Sequence, residues 1–139
     1  MDAPPPEVGH ILREARRIAV VGLSPRPERD SHRVAAYLQA AGYEIVPVNP
    51  LCARVLGLCC WPSLRDAPGP IDVVDVFRRS ELIEPVVDDA LAIGARALWL
   101  QDGVVNEAAA SRARVAGLLV VMNRCMMRDH ARLLARPLP

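Results

Sequence analysis

The fold is decided by residues 17–42, which read RIAVVGLSPRPERDSHRVAAYLQAAG. Residues 17–22 form a short apolar run rich in β-branched side chains, and a loop of serine, proline and arginine follows it. A segment with helical spacing then runs from Ser31 to Ala41 and is ended by Gly42. This order predicts a first unit of strand, loop and helix.

The same alternation continues on both sides of this unit. An amphipathic helix is predicted before it, because Val8, Ile11, Leu12 and Ala15 recur at helical spacing. Further strands are predicted at residues 43–48, 71–77, 97–100 and 118–122, and further helices at residues 80–93, 106–116 and 127–135. Short continuous apolar strands that alternate with helices predict an α/β fold. We expect a Rossmann-like three-layer sandwich, with a mostly parallel five-stranded sheet and helices on both faces.

Two segments interrupt this regular pattern. Ser80 is expected to cap the helix at residues 80–93, and Pro85 inside that helix predicts a kink or a late start. Residues 51–70 are rich in proline, glycine and cysteine. They predict an irregular connection with one helical turn near residues 63–66.

The length of 139 residues suits one domain over residues 1–139, with residues 1–6 as a flexible proline-rich leader. No apolar run reaches the length of a membrane span, and the leader lacks the basic and apolar regions of a signal peptide. We therefore expect a cytoplasmic protein that makes no membrane contact. The four cysteines, Cys52, Cys59, Cys60 and Cys125, form no C-x-x-C pair and are expected to be free thiols.

The basic side chains limit which catalytic mechanisms and which ligands are possible. All 17 of them are arginines. This excludes a mechanism that needs a lysine nucleophile, a lysine Schiff base or the lysine of a P-loop. The net charge of +1 gives no overall field that would attract nucleic acid. A bound phosphate would have to be held by arginine or by backbone N–H groups.

The candidate site lies at the carboxyl ends of the predicted strands, where parallel sheets bind their ligands. Five loops begin there with glycine, arginine or polar residues: Gly22-Leu23-Ser24, Asn49-Pro50, Phe77-Arg78, Gln101-Asp102-Gly103 and Asn123-Arg124-Cys125.

The first of these loops has the means to hold a diphosphate. Gly22 allows close approach of the backbone, Ser24 offers a hydroxyl, and the helix start near Ser31 offers free N–H groups. Arg26 and Arg29 add positive charge. The alternative is a structural turn in which Ser31 only caps the helix and both arginines are solvated.

The next two loops bear on the class of nucleotide. Asn49 stands where a NAD-binding unit usually carries an acidic residue for the ribose, so NAD is disfavoured, and Asn49 can instead be a turn former. Phe77 and Arg78 can flank an adenine ring and reach a phosphate, or they can be a core side chain and a solvated one.

No catalytic or metal-binding constellation is predicted. His10, His32 and His130 are scattered along the chain, and the aspartates show no spacing typical of metal ligands. Cys125 is the one candidate for reactivity, since Arg124 and Arg128 lie nearby in sequence and would favour its thiolate; a buried inert cysteine is the alternative. The sequence thus leaves an enzymatic role open without assigning one.

These loops resemble those of small bacterial and archaeal CoA-binding proteins, which are related to the CoA-binding domain of the succinyl-CoA synthetase alpha subunit. The resemblance runs from about residue 11 to residue 134. It is carried by AVVGLSPRPER at 19–29, PVNP at 47–50, DVVDVFRRS at 72–80, WLQ at 99–101 and MNRC at 122–125.

The resemblance implies that the ligand is coenzyme A or an acyl-CoA, and it distributes the loops along that ligand. Gly22, Ser24, Arg26, Arg29 and the helix start at Ser31 would hold the diphosphate. The rest of the implied site comprises Asn49 and Pro50 beside the nucleotide, Phe77 and Arg78 at the adenosine, Gln101 and Gly103 facing the pantetheine arm, and Asn123 and Cys125 towards the thiol.

We therefore expect a CoA-binding module without ligase chemistry of its own, because 139 residues leave no room for the synthetase's ligase region. One alternative is a thiol-dependent enzyme or CoA-disulfide sensor that uses Cys125. Another is a subunit that presents CoA to a separate ligase. A protein partner or a homo-oligomer is compatible with each of these readings.

Overall fold

A central parallel sheet organises the protein, which the computed structural model describes over residues 3–134. In chain order the elements are α1 (Pro6–Glu14), β1 (Arg17–Val21), α2 (Asp30–Ala40), β2 (Glu44–Val48), β3 (Arg54–Val55), β4 (Leu58–Cys59), β5 (Val73–Val76), α3 (Ile83–Ala92), β6 (Ala97–Leu100), α4 (Glu107–Val115), β7 (Leu119–Val121) and α5 (Met126–Leu133). The predicted alternation of strands and helices is confirmed.

The strand order in the main sheet is β2-β1-β5-β6-β7, and every neighbouring pair is parallel. The chain leaves β1 towards β2 and later crosses back to place β5 on the other side of β1. The connections from β1 and β5 therefore diverge, and a crevice opens between them at the carboxyl ends of the strands.

Helices cover both faces of this sheet, as a three-layer sandwich requires. Within β1, Ala19 and Val21 point to the core beneath α3 and α4, whereas Ile18 and Val20 point to the core beneath α1, α2 and α5. All four residues of β5 and of β6 are buried, which explains why these strands are apolar at every position except Asp75.

The third main helix shows the late start that Pro85 predicts. Residues Ser80–Leu82 form a 3-10 turn, and α3 begins at Ile83, so that Pro85 falls in its first turn. Proline is tolerated there because no helical partner for its missing N–H is needed. The predicted cap by Ser80 is wrong, since its Oγ accepts a hydrogen bond from the Val105 N–H at 2.9 Å instead.

The connection at residues 51–70 contains more structure than predicted. The helical turn is confirmed at Leu64–Asp66, but β3 and β4 also form an antiparallel hairpin there. Its two turn residues, Leu56 and Gly57, both have positive φ, at 54° and 74°. Such a turn is usually signalled by Asn-Gly or Asp-Gly, and leucine in the first position hides it.

The two ends of the chain match the predicted helices only in part. The helix expected at residues 127–135 is observed as α5, and residue 135 lies outside the described residues. The leader expected at residues 1–6 gives way to α1 at Pro6, and its residues 1 and 2 also lie outside them. Within residues 3–134 no helix is long and apolar enough to cross a membrane.

Candidate ligand-binding site

The carboxyl ends of the strands open into a crevice with two lobes. The β1 lobe has a volume of about 720 Å³ and the β6 lobe about 560 Å³. Asp30 and Phe77 line both lobes and so mark where they join. The predicted site residues Gly22, Ser24, Arg26, Arg29, Ser31, Asn49 and Phe77 line the β1 lobe, and Phe77, Arg78, Gln101, Gly103 and Cys125 line the β6 lobe.

Only Pro50 and Asn123, among the predicted site residues, line neither lobe. Pro50 is exposed. Asn123 supports the site indirectly, because its Oδ1 accepts a hydrogen bond from the Gly103 N–H at 2.7 Å and so joins the loops after β6 and β7.

Gly22 brings the first loop close to the neighbouring strand. Its φ is +84°, and a Cβ placed on it would lie 2.4 Å from the carbonyl oxygen of Phe77. Both the conformation and the close approach therefore require glycine. This turn directs the loop over the β1 lobe.

A hydrogen-bond network fixes this loop against α2. The Ser24 N–H donates to the Ser31 Oγ at 3.0 Å, and the Arg26 N–H donates to the Ser24 Oγ at 3.1 Å. The helix begins at Asp30, and its N-cap residue Arg29 makes no side-chain cap. The reading of Ser31 as a helix cap is therefore wrong, because its hydroxyl oxygen orders the loop instead.

Both the nitrogen and the oxygen of the Asn49 side-chain amide are hydrogen-bonded. Its Nδ2 donates to the Leu23 carbonyl oxygen at 2.9 Å, and its Oδ1 accepts from the Leu51 N–H at 2.8 Å. The interpretation of Asn49 as a turn former is confirmed. It also joins the β1 loop to the end of β2, and so forms a fixed wall of the β1 lobe.

Three arginines at the crevice have no acidic partner within residues 3–134, namely Arg26, Arg29 and Arg78. Arg78 is half-buried, and its Nε is shielded from solvent without a hydrogen-bond partner among those residues. A buried unsatisfied donor on a cation is costly unless a ligand satisfies it. The arrangement suits a ligand with several negative charges.

Behind Gln101, which lines the β6 lobe, lies a buried carboxyl group that was not predicted from the sequence. Asp75 lies in the middle of β5, is fully buried, and accepts a hydrogen bond from the Gln101 Nε2. Burial raises the pKa of the Asp75 carboxyl to about 7, and the hydrogen bond from Gln101 offsets only part of that effect. The available signal was an aspartate inside an otherwise apolar strand, which is unusual in a buried sheet.

Asp75 also determines what Gln101 presents to the ligand. The amide nitrogen of Gln101 donates to the Asp75 Oδ1 and is therefore turned towards the carboxyl group. The amide oxygen of Gln101 is then left as an acceptor at the β6 lobe.

Cys125 lies in surroundings that raise the pKa of its thiol. Arg124 is paired with Asp129 through two hydrogen bonds of 2.8 Å, and Arg128 is paired with Asp102. Burial raises the pKa of the Cys125 thiol, and the N–H group and charge of Arg128 lower it only in part. Arg128 acts in the expected direction, but burial outweighs it, so the structure favours the alternative of a buried, unreactive cysteine.

This environment predicts slow alkylation of Cys125. At pH 8 we expect iodoacetamide to modify Cys125 at least about tenfold more slowly than the exposed Cys59, because thiolate population and access set the rate. Timed quenching followed by peptide mass spectrometry measures both rates in one sample. Equal rates, or faster labelling of Cys125, would contradict the assignment of an unactivated thiol.

The described residues show no group of three or more His, Cys, Asp or Glu side chains that could hold a metal ion. Besides Glu28, Asp30, Asp102 and several apolar side chains, the crevice is lined by glycine, serine, amide and arginine groups. These groups suit an organic polyanion with hydrogen-bonding arms.

Comparisons with known proteins agree with this geometry. An uncharacterized protein of Bacillus subtilis, YneT, is 46% identical over 125 residues, which cover 90% of this chain and 93% of that protein. The structure of a hypothetical protein from Pyrococcus horikoshii matches with a TM-score of 0.90 at 42% identity, covering 97% of this chain and 100% of that one. The acetate–CoA ligase (ADP-forming) II of Archaeoglobus fulgidus is 25% identical over 83 residues, which cover 58% of this chain and 12% of the ligase.

The family model that matches is the CoA binding domain, over residues 16–131. That range contains the whole sheet and both lobes of the crevice. It confirms the resemblance that the strand-end motifs indicated. The fold, the crevice and the match over most of its length place this chain in the CoA-binding domain family.

Proposed function

We propose that the protein binds coenzyme A or an acyl-CoA in the two-lobed crevice, as a binding module without ligase chemistry of its own. The observation that carries this proposal is the set of three arginines, Arg26, Arg29 and Arg78, that line the crevice without acidic partners among residues 3–134. Coenzyme A carries three phosphate groups, a charge that these guanidinium groups match.

The β1 lobe would hold the diphosphate. Arg26 and Arg29 supply charge, and the first turn of the eleven-residue helix α2 supplies free N–H groups and the positive end of its dipole. Gly22 keeps the loop backbone free of a Cβ at this point. Arg78 and Phe77 would meet the adenosine part, where the planar guanidinium can pair with a phosphate and the ring can contact the base.

The β6 lobe would take the pantetheine arm. That arm carries amide groups, which match the oxygen of Gln101 and the backbone around Gly103. Cys125 would lie towards the thiol end as a buried neutral side chain. Its raised pKa favours binding over the alternative in which Cys125 exchanges with a CoA disulfide.

A second candidate function is to present CoA to a separate ligase. It is favoured by the similar stretch of the acetate–CoA ligase, which occupies only 12% of that protein. Affinity capture on the immobilised chain, with and without CoA, would test it. A ligase retained only in the presence of CoA supports presentation, and recovery of the chain alone favours the simple binding module.

Titration calorimetry tests the proposed function directly. Replacing Arg78 with glutamine should weaken CoA binding by about 10–100-fold, because a charge-assisted hydrogen bond contributes about 1.5–3 kcal/mol. Arg26→Gln should have an effect of similar direction. Dephospho-CoA and ADP as ligands then show how much of the affinity each part of CoA provides.

Arg114→Gln is the matched control. Arg114 is exposed on α4, away from both lobes, so the same loss of charge should leave the affinity unchanged. The proposal fails if no CoA species binds at millimolar concentration, or if the Arg78 and Arg114 variants lose affinity equally.

A further inference from the structure

Two thiols meet at the base of the β3–β4 hairpin, outside the residues assigned to CoA. The Sγ atoms of Cys52 and Cys60 are 3.4 Å apart, and the Cys60 thiol donates its hydrogen to the Cys52 sulfur. Both cysteines are in the free state. We propose that Cys52 and Cys60 form a dithiol site that low-molecular-weight disulfides oxidise to an intramolecular disulfide.

The hairpin itself brings these two sulfurs together. Arg54 pairs with Cys59 in the ladder, and the Cys60 N–H donates to the Ala53 carbonyl oxygen at 2.9 Å. Adjacent side chains on a strand point to opposite sides, so Cys59 and Cys60 diverge. Cys60 is buried beside Cys52, whereas the Cys59 side chain is exposed.

The difference in exposure indicates which of the two sulfurs reacts first with a dissolved disulfide. Cys52 is half-exposed and can be reached by a dissolved disulfide, whereas Cys60 is only 8% exposed. Burial and the neighbouring Cys52 raise the pKa of the Cys60 thiol to about 12, which keeps it protonated and unreactive towards solvent. Cys52 is therefore the attacking sulfur, and Cys60 is the resolving sulfur.

The exchange balances with a disulfide RSSR as the only co-reactant. The Cys52 thiolate attacks one sulfur of RSSR, the S–S bond breaks, and the first RS⁻ leaves and takes up the proton that Cys52 has lost. Once Cys52 is a mixed disulfide, it no longer carries the negative charge that helps to raise the pKa of the Cys60 thiol. The Cys60 sulfur then attacks the Cys52 sulfur, and the second RS⁻ leaves with the Cys60 proton. The protein is oxidised by two electrons, and RSSR is reduced to two RSH.

The position of the pair connects it to the crevice. Leu51, the residue before Cys52, lines the β1 lobe. The other end of the hairpin is anchored to β2 by the Asn49 N–H, which donates to the Trp61 carbonyl oxygen at 2.9 Å. A disulfide between Cys52 and Cys60 would cross-link the base of the hairpin beside the β1 lobe.

Peptide mapping after incubation of the folded protein with glutathione disulfide tests the proposal. Trypsin cleaves after Arg33, Arg54 and Arg65, so Cys52 lies in peptide 34–54 and Cys60 in peptide 55–65. We expect the intact protein to lose two hydrogens and the two peptides to be recovered cross-linked. No CoA is present, so the result is independent of the proposed function.

Variants distinguish the two adjacent cysteines. Cys59→Ser should retain the cross-link, whereas Cys60→Ser should lose it and accumulate a glutathione adduct on Cys52. Wild-type protein oxidised in urea serves as a further control, because unfolding should scramble the cross-links among all the cysteines. The proposal is overturned if the folded wild type gives no cross-linked peptides, or if Cys59→Ser abolishes the cross-link and Cys60→Ser does not.

Discussion

Replacing Gly22 with alanine is expected to lower the free energy of unfolding by about 2–6 kcal/mol. A non-glycine residue at its φ of +84° costs about 1–3 kcal/mol in backbone strain. The added Cβ would also lie 2.4 Å from the Phe77 carbonyl oxygen, which belongs to the backbone and cannot rotate away. Relieving that overlap adds about 1–3 kcal/mol, as overpacking does elsewhere.

Gly94→Ala separates these two contributions. Gly94 has a similar φ of +70°, but a Cβ placed there meets nothing within 4 Å. Its substitution should therefore show the conformational cost alone, about 1 kcal/mol. Urea unfolding followed by far-UV circular dichroism measures both variants. Equal losses in the free energy of unfolding at Gly22 and Gly94 would show that the overlap with the Phe77 carbonyl oxygen contributes nothing to the loss.

The fold could be predicted from the sequence because its strongest signals are local. A buried parallel strand is apolar on both faces, so β1, β5 and β6 stand out as mostly apolar runs, although Asp75 interrupts β5. The crevice followed from the same pattern, since the ends of parallel strands share one edge. Strand order could not be obtained in this way, because the runs do not state which strand lies beside which.

The details of the site depend on contacts between distant residues, and these were hidden from the sequence. A helix cap at Ser31 is one of the two interpretations that the sequence allows, but the partner of its hydroxyl is the Ser24 N–H, which the loop brings close to it. The charge expected near Cys125 is taken up by Asp129 and Asp102. The thiols of Cys52 and Cys60 meet only because a hairpin with an unusual Leu-Gly turn forms between them.

Asp75 makes the stability of the protein depend on pH, in the direction opposite to that of a salt-bridged carboxylate. Its pKa is raised from 3.8 to about 7 in the folded state, mainly by burial. Below about pH 4 both the folded and the unfolded states hold the proton, so Asp75 contributes no difference. Between about pH 4 and pH 7 the unfolded state loses the proton and the folded state keeps it. Raising the pH through this window therefore favours unfolding, by about 4 kcal/mol in total.

Asp75→Asn should remove this dependence. The asparagine amide carries no charge at any pH, and Gln101 can turn its own amide to offer Oε1 to the new donor. Unfolding free energies of the wild type and the variant, measured in urea at pH 4 and pH 8, give two differences. From pH 4 to pH 8, the free energy of unfolding of the variant should rise relative to that of the wild type by about 4 kcal/mol.

Asp72→Asn is the matched control, three residues earlier in the same DVVDV segment. The Asp72 side chain is half-buried, and its Oδ2 accepts the N–H groups of Arg16 and Arg17 at 2.8 and 2.9 Å. An asparagine oxygen can still accept both, and Asp75 is left in place. The Asp72 variant should therefore keep the pH dependence that Asp75 contributes. If the Asp75 variant follows the wild-type pH profile, its carboxyl is not the group that holds a proton in the folded core.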